Sequence, residues 1–169
     1  MKTKSKIIIS VMVVIALIAG GFTYLNYSNS NTGKVSVYVE DAPIFNVSAV
    51  YITFTNVSLH NTSSGWHTYT LTTTTVNILG LTTTNASLLS SFSIKAGNYT
   101  MIRLYITSVN VKIAGLNVSF TLASPDAFIN HPFSVSAHST TGLDIEFNLS
   151  QDLNINSRMF TPSIGVVVS

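Results

Sequence analysis

From Lys34 to the C-terminus, apolar and polar residues alternate in short runs interrupted by turn residues, a period of two that predicts β-strands. KVSVYVE (34–40) places Val35, Val37 and Val39 on one face. AVYITFTNVSLH (49–60) places Val50, Ile52 and Phe54 on one face, then Val57 and Leu59 on the opposite parity. That slip of phase at Thr55 and Asn56 predicts a β-bulge, because one extra residue resets which side chains meet the core. NTSSG (61–65) is a turn signal leading into WHTYTL, and the hairpin it predicts lets His60 and His67 approach each other. TTVNILGL follows, then NASLLSSF (85–92), which has room for a single helical turn. KAGNYTMIRLYITSVNVKI carries Ile102, Leu104 and Ile106 in alternation, and LNVSFTL, FSVSAH, LDIEFNL and MFTPSIGVVVS complete the set. None of these windows sustains the i, i+3, i+4 spacing of a helix. About eight or nine short strands with regular turns predict an all-β, antiparallel β-sandwich, with an open barrel as the alternative. Gly97-Asn98-Tyr99 has the layout of a tyrosine corner, whose hydroxyl bonds back to nearby backbone. The other reading is a turn glycine before an ordinary strand tyrosine.

The start of the chain breaks this pattern. Lys2, Lys4 and Lys6 precede a charge-free run from Ile7 to Phe22 that ends in small residues, the layout of a secretory signal peptide. The apolar stretch continues toward Leu25, so a retained membrane anchor with its lysines in the cytoplasm is the alternative. In either case the rest of the chain is expected outside the cell, at its surface. The domain reading is an apolar leader helix over 1–21 (signal peptide or anchor), a tail and linker over 22–33, and the β-sandwich over 34–169. Contact with the membrane is through the leader alone.

Composition sharpens the picture. There is no cysteine, which excludes disulfides, thiolate catalysis and Cys-ligated zinc. The net charge of +2 comes from the leader: without its three lysines, five basic residues meet six acidic ones. A chain without a basic stripe is not expected to bind nucleic acid. Only 8% of residues are charged, against about a quarter in ordinary globular chains. So neutral a surface invites association unless something covers it. So few carboxylates also leave little stability to lose in acid.

Sugar is one cover. N-x-S/T acceptor tripeptides occur at Asn26, Asn46, Asn56, Asn61, Asn85, Asn98, Asn117 and Asn148. With 15 Asn and 44 Ser plus Thr in 169 residues, chance gives about four. The excess predicts an exterior rich in N-linked glycans, carried at turns and strand ends such as Asn61, Asn85 and Asn98; the alternative is that composition alone accumulates the motif.

Little else points to chemistry. Glu40-Asp41 ends a strand before Ala42-Pro43, where Asp commonly opens a turn. Asp144 and Glu146 fall on one face of a strand, opposite Leu143, Ile145 and Phe147, as an ordinary solvent face does. Two histidines fall short of a metal site, Arg103 and Arg158 stand alone, and no nucleophile elbow, phosphate loop or zinc-protease helix occurs. The chain is not expected to be an enzyme or to hold a metal or cofactor.

VSVYVEDAP, then VYITFTNVSLHNTSSGWHTYTL, VNILGL, KAGNYTMIRLYI and LDIEFNLSQDL together resemble an exported prokaryotic domain family named only as of unknown function. The resemblance spans Val35 to about Leu153 and implies an immunoglobulin-like sandwich at the cell surface, with no catalytic residues to carry over. Within that family the chain is similar to the glycosylated subunits of thin archaeal surface filaments called threads, which share a leader, a short tail, a sequon-rich β-domain and few charges. That likeness implies a homopolymer in which the tail of one subunit, Phe22, Thr23, Tyr24, Leu25, Asn26 and Tyr27, inserts as a missing strand into the next, with SNSNTG as linker. Asn26 departs from the pattern, since a glycan inside a donor strand could not be buried. The alternative is a monomeric, membrane-anchored surface domain with a binding or adhesion role.

Overall fold

A computed structural model describes residues 31–41, 47–71, 75–82 and 85–169. The leader helix, the donor strand Phe22 to Tyr27 and the sequons Asn26 and Asn46 lie outside the described residues.

The described chain is an all-β sandwich of two sheets. The smaller holds β1 (Thr32–Asp41), β5 (Ser87–Lys95), β9 (Thr140–Phe147) and β12 (Ile164–Val168), in the order β12-β9-β1-β5. The larger is built on two long strands, β2 (Val47–Asn61) and β6 (Gly97–Ile113). Against β2 lie β3 (Gly65–Thr70) and β4 (Thr75–Asn77); against β6 lie β7 (Leu116–Leu122) and β8 (Asp126–Val135). Two short strands, β10 (Leu153–Asn154) and β11 (Met159–Phe160), extend this sheet beyond β7.

Alternation decides what each strand buries. Val35, Val37, Val39, Leu143 and Ile145 of the smaller sheet face Ile52, Phe54, Val57, Leu59, Ile102 and Leu104 of the larger one in a single apolar core. Phe54 meets Phe147 across that core with ring centroids 6.0 Å apart. The phase slip in β2 is a bulge: Phe54 pairs with Ile106 and Asn56 with Tyr105, so Thr55 has no opposite number. Tyr99 is buried, stacks on Phe133, and donates its hydroxyl to the carbonyl of Lys95 at 2.8 Å, completing the tyrosine corner. Gly97 takes φ +154°, and a Cβ there would lie 3.2 Å from the Asn61 amide nitrogen, so glycine is required.

Two expectations change. The sandwich is not purely antiparallel, because β1 runs parallel to β9 and β11 parallel to β7. Parallel neighbours need a long connection; between β1 and β9 the chain builds β5 and most of the larger sheet. The stretch 85–92 forms no helical turn: from Ser87 onward it belongs to β5, because Leu89 and Ile94 are buried against the core while the strand pairs with β1. Among the described residues the helical turn is instead Leu149–Asp152. Asp152 is buried there, and its carboxylate accepts from the backbone N–H and hydroxyl of Ser163, tying the last loop to β12.

Candidate functional site

The outer face of the larger sheet carries a cluster that sequence reasoning missed. Register sets Trp66 opposite His60, Ser58 opposite both Thr68 and Arg103, and Arg103 opposite Phe128. Arg103, expected to stand alone, lies with its guanidinium 4.8 Å from the Trp66 ring centre and 5.7 Å from that of Phe128. Its Nε is 3.0 Å from the Asp126 carboxylate. A hydrogen bond to Tyr105 holds the Arg103 proton more tightly than usual and pulls the Tyr105 hydroxyl below its ordinary range. Cation–π contact and the ion pair fix the guanidinium, and with it both rings. Trp66 is 40% and Phe128 44% exposed, so this is an open aromatic surface rather than core. The sequence does hold the parity that puts Trp66, Arg103 and Phe128 outward, but their meeting depends on the pairing of four strands.

His60 and His67 are not brought together. His60 packs edge-on to Trp66, 5.2 Å between centroids, with Nδ1 3.1 Å from the Thr100 hydroxyl. His67 has the opposite parity, and its Nε2 lies 2.8 Å from the Ser64 hydroxyl. Among the described residues, no three His, Asp or Glu side chains are placed to share a metal ion.

A second feature is the rim of the smaller sheet. Gly142 and Ser169 exchange both backbone hydrogen bonds, at 2.6 and 3.1 Å. Bonding alternates along an antiparallel ladder, so Gly165 and Val167 also face β9, while the N–H and C=O of Ile164, Val166 and Val168 point away from it. Among the described residues no strand pairs with that side. The strand reads IGVVV, without the charge or proline that blunts most edges, and Val167 and Val168 are exposed. β8 flanks β12 without pairing to it, and on the opposite side of the sandwich Tyr69 of β3 stacks on Phe92 of β5 at 4.3 Å, with ring planes 10° apart.

The third feature is a pair of acids. Asp144 and Glu146 do not simply face water, because parallel pairing sets Glu40 of β1 directly beside Glu146. Glu40 is only 4% exposed, and burial first, then the hydrogen bond to Glu146 and the charges of Glu146 and Asp144, push its carboxyl up to about 7. Two carboxyls bonded to each other share a proton and leave no room for the substrate that a glycosidase sets between them.

The sequons fall into distinct settings. Asn85, Asn98, Asn117 and Asn148 are exposed. Asn98 sits on the outer face of β6, where its Oδ1 accepts from the Ser134 hydroxyl at 2.8 Å. Asn56 is half-buried in the middle of β2, between Thr70 and Tyr105. Asn61 is only 5% exposed, and its Oδ1 accepts from the backbone N–H groups of Ser63 and Ser64, so its amide builds the turn.

Residues 32–162 match the family model described as a domain of unknown function, DUF4382, and the chain belongs to that family. No curated protein matches the chain. No solved structure matches it.

Proposed function

We propose that this DUF4382 protein is the structural subunit of an extracellular filament, an immunoglobulin-like sandwich that polymerises by strand donation under a coat of N-linked glycans, as in archaeal threads. The observation that carries the reading is the apolar outer edge of β12, Ile164–Val168, whose outward backbone groups have no partner among the described residues. An edge of this kind is a template for another strand, and natural proteins either blunt it or use it. The tail Phe22 to Tyr27 of a second copy supplies a strand of matching length and apolar character. Donor and acceptor are different surfaces, so the contact is heterologous and repeats into a fibre rather than closing a dimer. The leader over 1–21 exports the chain, and its removal frees the tail. Identical subunits and their glycans are the partners, and the role is mechanical rather than catalytic.

The test is negative-stain microscopy of cell-surface preparations from cells making the full chain or a chain lacking residues 22–27, with the mature N-terminus sequenced in parallel. Filaments from the first and none from the second are expected, with a start near Gly21. Filaments from both, or a start at Met1 with no filaments, overturn the reading; the latter outcome is that of a membrane-anchored monomer.

A further inference from the structure

We propose that the aromatic face of the larger sheet is a cradle for the chain's own N-linked glycan at Asn98; this rests on the glycosylated-filament reading and extends it. Trp66 and Phe128 lie open with ring centroids 6.3 Å apart, both against the Arg103 guanidinium, whose charge is matched by Asp126. Such a surface is apolar and close to neutral, and its rings, inclined by 52°, form the walls of a shallow angle. A pyranose ring fits it well: its C–H face packs on an aromatic ring, and its hydroxyls bond to polar side chains at the rim. Here the rim offers the exposed Thr68 hydroxyl, held 2.7 Å from that of buried Ser58, and the Arg103–Asp126 pair. The matched charges favour a neutral sugar over an acidic one.

Asn98 is the attachment point that the geometry favours. It is exposed, lies on this same outer face, and accepts at its Oδ1 from the Ser134 hydroxyl, a bond that does not use its amide nitrogen. The third residue of its sequon, Thr100, lies against His60, which packs on Trp66. Trp66 is two strands across and about three residues along from Asn98, roughly 14 Å by strand spacing. The asparagine side chain and the first sugars of a glycan span that distance. Asn56, nearer to Arg103, is half-buried between neighbouring strands and presents its amide less openly. A glycan lying back from Asn98 covers the exposed rings and withdraws this face from self-association.

Trp66 is the sole tryptophan of the chain, so its fluorescence reports on the cradle alone. Protein from a host that glycosylates it is mapped for site occupancy by mass spectrometry, and acrylamide quenching is measured for the wild type, Asn98→Gln and Asn117→Gln. The wild type is also measured after enzymatic removal of its glycans while folded. Asn98 occupied, quenching of Asn98→Gln and of the stripped wild type raised by about twofold as solvent reaches the ring, and Asn117→Gln unchanged are the results expected. Asn98 occupied with quenching unaltered by stripping overturns the cradle. Asn98 bare while other sequons carry sugar also overturns it and leaves the filament coat standing; no sequon occupied overturns both.

Discussion

Glu40 lies directly opposite Glu146 across the parallel β1–β9 ladder, with Asp144 one step along the same face of the sheet. Two acids in register, one of them buried, repel when both are ionised and are comfortable when one proton is held between them. The fold therefore contains a group that favours a proton at pH values where an exposed glutamate has lost it.

The sign of the resulting pH dependence follows. Glu40 is raised from 4.5 to about 7 in the folded chain. Its contribution is fully favourable below pH of about 4.5, declines as pH rises toward 7, and is lost above that. Urea unfolding of the sandwich is expected to show greater stability at about pH 4 than at pH 8, by an amount of order 1–3 kcal/mol. Glu40→Gln should reduce that slope, leaving the part from Asp152, whose burial also raises its carboxyl, and should raise stability at pH 8. A wild type that loses stability on acidification from pH 7 to 4.5 would count against the pairing. The result extends the expectation drawn from the scarcity of carboxylates, that acid has little to take from this protein.

Val168→Pro probes the open edge. The N–H of Val168 points away from β9, so proline there removes no bond of the β9–β12 ladder and blocks only a strand added from outside. The variant should unfold within about 1 kcal/mol of the wild type and yield no filaments by negative stain. Filaments of ordinary length would exclude β12 as the acceptor.

The tyrosine corner is purely structural and gives a calibration. Tyr99→Phe deletes the hydroxyl bond to the Lys95 carbonyl and should cost about 1 kcal/mol in thermal or urea unfolding. Gly97→Ala places a methyl against Asn61 in a backbone conformation that alanine rarely adopts, and should cost more, about 1–3 kcal/mol. Equal and negligible losses would show that this corner carries no strain or bonding.

What was legible in the sequence is what strand periodicity encodes locally. The burial of Val35, Val37 and Val39, the bulge between Phe54 and Asn56, and the corner at Tyr99 each depend on a few neighbouring residues. The parallel β1–β9 pairing, the Glu40–Glu146 contact and the stack of Trp66, Arg103 and Phe128 were not legible, because register between strands distant in sequence decides them. Asn61 illustrates the same limit. As a tripeptide it is as good an acceptor as Asn98, and only the folded hairpin shows its amide turned inward to hold Ser63 and Ser64.

The central claim is that a neighbour's tail pairs with the outer edge of β12, and amide hydrogen exchange at Val166 and Val168 measures it most directly. In assembled material these two N–H groups should exchange at least about a hundredfold more slowly than in the monomer lacking residues 22–27, while Val167, already bonded to β9, changes little. Equal exchange at Val166 and Val168 in filament and truncated monomer would contradict the account.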